Sequence, residues 1–232
     1  MIISTMSPLE KTKEFESDFD KLRIKGLQSE KAAIKGLKKC YKFPALYMVN
    51  YKVMASRNDY ILYYYARNKA ELDRPCLDYF CKSRDKSGKP IFLKLSKNND
   101  VPTMQEYTMH FVSRYNERYF GNKVESMEEV MCRYFIANYI GIPTRLKENI
   151  MKKYKHYGEL ARFGMKVNKG FCLQRTFLEE NVEKKQLLAI GITNVTFIDN
   201  KSLKEEQVIA MQKENFRYCK MLSEKNRPYI PR

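Results

Sequence analysis

The sequence predicts an α+β protein: helices packed on a mainly antiparallel β-sheet, with an N-terminal helical arm. Three observations lead there. Hydroxyl-x-x-Glu quartets, which satisfy the first free backbone donors of a helix, begin at Ser7, Thr103, Ser126 and Ser202. Runs rich in Tyr, Ile, Val and Leu, bounded by turn residues, read as strands. The two kinds of segment fall in blocks rather than alternating, which disfavours a parallel βαβ sheet. With 44% hydrophobic residues in 232, the chain can bury a sizeable core.

Residues 1–42 read as a basic helical arm and 43–232 as one α+β domain. That domain has a β-rich half at 43–102 and a helix-helix-sheet-helix half at 103–232. Ser7-Pro8-Leu9-Glu10 opens the arm, with Pro where a missing N–H costs nothing. The arm runs to about Lys39, and Gly26 and Gly36 suggest breaks in it. Strands follow at 45–54 and 60–66 around the turn Ser56-Arg57-Asn58-Asp59. Two more, at 79–82 and 91–95, flank Asp85-Lys86-Ser87-Gly88, a hairpin signal. The Thr103 quartet predicts a helix over 104–120 and the Ser126 quartet one over 127–139, with a shorter helix at 146–154. Strands are expected again at 163–167, 171–178 and 187–198, the first two joined by Asn168-Lys169-Gly170. The Ser202 quartet opens a last helix to about Glu224, and the two prolines beyond it suggest a frayed tail.

Charge narrows the function. Lys and Arg number 44 against 27 Asp and Glu, a net +17, and a surface so self-repelling expects a polyanion: nucleic acid, with RNA favoured, or an acidic protein. The excess is densest at Lys31, Lys35, Lys38, Lys39 and Lys42, with no acid between Lys31 and Asp59. Lys31, Lys35 and Lys38 or Lys39 share one helix face, either a phosphate-tracking stripe or simply a solvated face. Tyr60, Tyr63, Tyr64 and Tyr65 offer base-stacking rings or a half-buried strand. No apolar run approaches the ~18 residues of a membrane span, and the N-terminus does not read as a signal peptide. Zincin, P-loop and dinucleotide-binding motifs do not occur. The six cysteines are scattered, only Cys76 and Cys81 lying close together. Reduced buried thiols and a cytoplasmic protein without metal or other cofactor follow as expectations.

The stretch from Thr108 to Phe120 is the richest in chemistry. At ~100° per residue, His110, Arg114 and Glu117 fall on one helix face, with Arg118 at its border. Phe111, Val112, Tyr115 and Tyr119 form an apolar back. An imidazole can move a proton near neutral pH, and guanidinium groups can hold the oxygens of a phosphoryl group as charge builds there. Glu117 can orient Arg114 or the imidazole. An ordinary exposed ion pair beside a helix-opening His accounts for the same pattern.

His-x3-Arg-x2-Glu-Arg on a helix, then a helix opened by Ser-x-Glu-Glu, then strands, resembles the barnase/EndoU/colicin/RelE superfamily of metal-independent ribonucleases, in its phage- and toxin-associated branches. The resemblance covers roughly residues 105–200. It implies a helix His and Arg facing a curved antiparallel sheet whose late strands add polar groups. The implied positions are His110, Arg114 and Arg118, with Arg175 or Thr176 and Thr193 or Thr196 from the strands. Among these, Thr176 and Thr196 complete the expected catalytic set with Glu117. The resemblance also implies RNA as substrate, and the basic face offers a third reading, an acidic protein partner such as an antitoxin. His156 would be a second imidazole or a surface residue. A non-catalytic nucleic-acid-binding protein with a structural His110 is the other reading.

Overall fold

The computed structural model describes residues 1–98, 101–138, 142–145, 163–184 and 186–202. Helices α1 (Pro8–Glu16) and α2 (Phe19–Leu37) precede five strands: β1 (Ala45–Val53), β2 (Asn58–Ala66), β3 (Cys76–Arg84), β4 (Pro90–Asn98) and β5 (Val101–Thr108). Helix α3 (Met109–Tyr115), a π-helical turn over Asn116–Phe120 and helix α4 (Met127–Ala137) come next. Strands β6 (Ile142–Arg145), β7 (Phe163–Val167), β8 (Gly170–Asn181) and β9 (Gln186–Asp199) follow. The helices expected at 146–154 and from 203 to 224, and the tail, lie outside the described residues.

All nine strands form one sheet, ordered β1-β2-β3-β4-β5-β9-β8-β7-β6. Strands β1 to β5 are an antiparallel meander, and β6 to β9 are another. Between them lies one parallel pair, 103–107 of β5 beside 190–194 of β9. The sheet is therefore mainly antiparallel, with helices packed on it, an α+β fold.

Both faces of the first meander are covered. Phe15 of α1 and Leu22 of α2 pack with Tyr60, Leu62, Leu93 and Met104 on one face. Phe111, Val112 and Tyr115 of α3, with Val130, Met131 and Tyr134 of α4, pack with Ile61, Phe80, Phe92 and Phe197 on the other. The helices predicted in residues 1–42 thus lie on the sheet. A strand between two helical layers has no wet side, so Tyr60, Tyr63 and Tyr64 are buried and offer no stacking surface; Tyr65 is half-buried.

The Ser7 capping box forms in full, and Ser126 caps α4 by accepting from the Glu129 N–H. The Thr103 quartet does not form. Its residues lie in β5, eight of whose positions pair with β4 and five with β9, and the Glu106 carboxylate reaches Lys11 Nζ at 2.5 Å instead of turning back. Tertiary pairing outweighs a local capping signal here. The arm breaks at Ser17-Asp18 rather than at its glycines. Asp18, fully buried, accepts from Ser56 Oγ (2.6 Å), Asn58 Nδ2 (2.9 Å) and the Tyr60 hydroxyl (3.1 Å), and Lys21 Nζ lies 3.2 Å away. Gly26 and Gly36 sit within continuous α2, where the helix comes closest to the sheet: a Cβ on Gly36 would lie 2.5 Å from the Tyr47 ring.

Strands β3 and β4 are paired only over 81–84 and 90–93. Where they part, the Lys94 ammonium enters the gap, donating to the Tyr79 carbonyl (2.8 Å) and pairing with Asp78. The Asp78 carboxylate also accepts from the Tyr79 N–H (2.8 Å) and the Tyr63 hydroxyl (2.7 Å). Side chains thus replace a stretch of ladder. No helix among the described residues is long and apolar enough to cross a membrane.

Candidate functional site

Helix α3 is built outward from Thr108. Thr108 Oγ1 accepts from the Phe111 N–H (3.2 Å) and lies 3.3 and 3.1 Å from the carbonyl oxygens of Asn194 and Val195, to which it can donate. This N-cap pins the start of the helix to β9. Phe111, Val112 and Tyr115 are buried, as their spacing predicts, and hold the opposite side toward solvent. His110 stands on that side, two residues after the cap, exposed.

Arg114 Nη1 bonds the Glu117 carboxylate at 2.7 Å, both side chains over 40% exposed. Past Tyr115 the helix widens into the π turn, closed by Gly121 in the left-handed conformation (φ 61°). The wider turn carries Arg118 toward the sheet, where Nη1 donates to the Phe197 carbonyl. One guanidinium is thus held by a carboxylate and the other by the main chain. Burial lowers the His110 pKa below its ordinary 6.5; Arg114 and Arg118 push the same way and Glu117 opposes. His110, Arg114, Glu117 and Arg118 therefore act on one another, with the imidazole favoured as the neutral base at pH 7.

Thr176 and Thr196 fall on opposite faces of the sheet. Residues paired across antiparallel strands share a face. Cys172 pairs with Phe197, and both face α3 and α4. Thr196, one residue away and paired with Leu173, therefore points to the opposite face, and it is 4% exposed. A β-bulge is responsible: Leu173 pairs with Thr196 but Gln174 with Asn194, so Val195 is an extra residue and simple alternation along β9 fails. Thr176, paired with Ile192, lies on the face of Cys172 and Gln174, hence on the α3 side. Arg175 and Thr193 pair on the other face, where Thr193 Oγ1 lies 3.5 Å from Glu106.

Asn194 and Gln174, rather than Thr196, lie on the α3 face of these strands. Asn194 is fully buried; its Oδ1 accepts from Gln174 Nε2 (2.8 Å), and its Nδ2 donates to the Glu106 carbonyl (3.3 Å). The bulge hid them. Thr108 was legible, as a hydroxyl just before an apolar-periodic run. His156 lies outside the described residues.

The second group is the basic segment. The buried face of α2 is Leu22, Gly26, Ala33 and Leu37, which turns Lys31, Lys35 and Lys38 outward; all three, with Lys39 and Lys42 after the helix, are exposed. Lys38 pairs with Asp73 at 2.5 Å. Between Lys39 and Lys42 stands Tyr41, 96% exposed, an aromatic ring offered to solvent. Among the described residues, no three His, Cys, Asp or Glu side chains gather as a metal site, and Cys40, Cys76, Cys81, Cys132 and Cys172 are free thiols. No family model, curated protein or solved structure matches the chain.

Proposed function

We propose that this protein is directed at nucleic acid, with RNA favoured. The carrying observation is the row of exposed lysines on α2 and its exit, Lys31, Lys35, Lys38, Lys39 and Lys42, beside the exposed ring of Tyr41. Ammonium groups on a fixed helix track phosphates without reading sequence, and a free ring adds base stacking. Binding measured by anisotropy should weaken linearly in log–log with salt. The triple variant Lys31→Glu, Lys35→Glu, Lys39→Glu should reduce that slope by about 2, three phosphates at roughly 0.7 each on a single strand. An unchanged slope would remove this face from the interface.

A second reading makes the protein a metal-independent endoribonuclease of toxin or mobile-element type. The observation favouring it is the His110 cluster: a solvent-facing imidazole kept neutral beside two tethered guanidiniums. In that reaction the 2′-oxygen attacks phosphorus and the 5′-oxygen departs, leaving a 2′,3′-cyclic phosphate. His110 takes the 2′ proton, water supplies one to the leaving oxygen, and Arg114 and Arg118 hold the non-bridging oxygens. Cleavage should persist in EDTA and vanish in His110→Ala. RNA that binds but stays intact on long incubation leaves His110 as a surface residue.

A further inference from the structure

We propose that the cleft at the end of the basic segment is a nucleobase pocket that seats one base of a single-stranded RNA. This rests on the nucleic-acid reading above and adds to it the place where the strand is gripped by a base rather than by phosphates.

The cleft encloses about 340 Å³, within the range of small-ligand sites. It opens where the chain leaves α2 and turns into β1. Phe43 and Pro44 from that link line it, as do Tyr119 and Phe120 from the π turn after α3. Arg67, just past β2, and Arg133, on α4, add two guanidinium groups to the lining. Among the described residues no carboxylate belongs to the lining: Glu71 and Glu129 pair with the two arginines at 3.9 and 2.7 Å without lining the cleft. Rings and planar guanidinium groups together form a lining suited to a flat heteroaromatic ring that carries negative charge on its tether.

Two further features give the pocket direction. Lys42 immediately precedes Phe43, so the exposed lysine row ends at the pocket wall. On the far side Lys169 Nζ lies over the Tyr119 ring, 5.1 Å from its centre, beside the lining residue Asn168. The Asn168 N–H is tied to Asn138 Oδ1 at 2.7 Å, which fixes the residue whose side-chain amide can meet the polar edge of a base. Phosphates on either side of a seated base therefore meet ammonium groups. A polyglutamate chain would use the lysines but brings no ring to the pocket.

The test compares a fluorescent single-stranded RNA dodecamer with the same strand lacking its bases, on the full chain. Wild type should prefer the base-bearing strand about tenfold, the effect of one stacked base. Ala137→Phe fills the pocket from a partly exposed lining position, and Arg67→Gln removes an exposed lining guanidinium. Both should erase most of the preference while the salt slope stays at the wild-type value. Thermal unfolding confirms that each variant folds, and Arg67, at the surface, is the safer of the two. Salt-dependent binding with equal affinity for the two strands overturns the pocket and leaves the lysine row standing. Polyglutamate competing as well as RNA at equal charge also overturns it. No binding of either strand at low salt overturns both.

Discussion

Asp18 shows how one residue can join three elements. Burial by itself would raise its carboxyl, but hydrogen bonds from Ser56, Asn58, Lys21 and Tyr60 outweigh that and hold it below its ordinary 3.8. A carboxyl lowered in the folded state adds stability above its unfolded pKa, near 3.9, and loses it as pH falls through the lowered folded value. Asp18→Ala should therefore cost about 3 kcal/mol at pH 7 in denaturant unfolding, since it strands the buried donors of Asn58 and Tyr60 and the half-buried Ser56 hydroxyl. The gap to wild type should narrow below about pH 4. Asp18→Asn should keep part of the stability and lose that pH dependence. Nothing in the sequence marks Asp18, because its partners are 38 to 42 residues away.

At the scale of elements, strands and helix faces were legible wherever periodicity acts alone. The buried side of α3 and the lysine side of α2 both follow from spacing. What failed did so where distant chain intervenes: Thr103 to Glu106 was drawn into β5 by its neighbours, and the Val195 bulge reversed Thr196. The glycines of α2 were read as breaks, yet they are contacts. Gly36→Ala would drive a methyl into the Tyr47 ring, costing roughly 1–3 kcal/mol against about 1 gained in helix propensity. Gly26→Ala meets only the tip of Leu77, which is 39% exposed and free to turn, so it should be near neutral. Melting temperatures of the two variants should separate; equal values would mean that α2 does not approach Tyr47 so closely.

Taken whole, the molecule is two meanders joined by a single parallel pair, and that pair was invisible in the sequence because Thr103 and Ile190 are 87 residues apart. The core does not respect the seam. Phe80 and Phe92 from the first meander share one cluster with Cys172 and Phe197 from the second, through α3 and α4. Unfolding should therefore be one transition, with tyrosine fluorescence and far-ultraviolet dichroism coinciding. Two separated transitions would show that the meanders hold themselves independently.

The opening between β3 and β4 has a further consequence. Unpaired strand edges recruit strands from other molecules, and most sheets carry such edges only at their margins. This sheet has a pair of them inside, at 76–80 and 94–98, occupied by Lys94 and Asp78. A foreign strand could enter there only by displacing an ammonium and its counter-ion from a largely buried place, leaving each without the other. The ion pair thus occupies the opening through which such a strand would have to come.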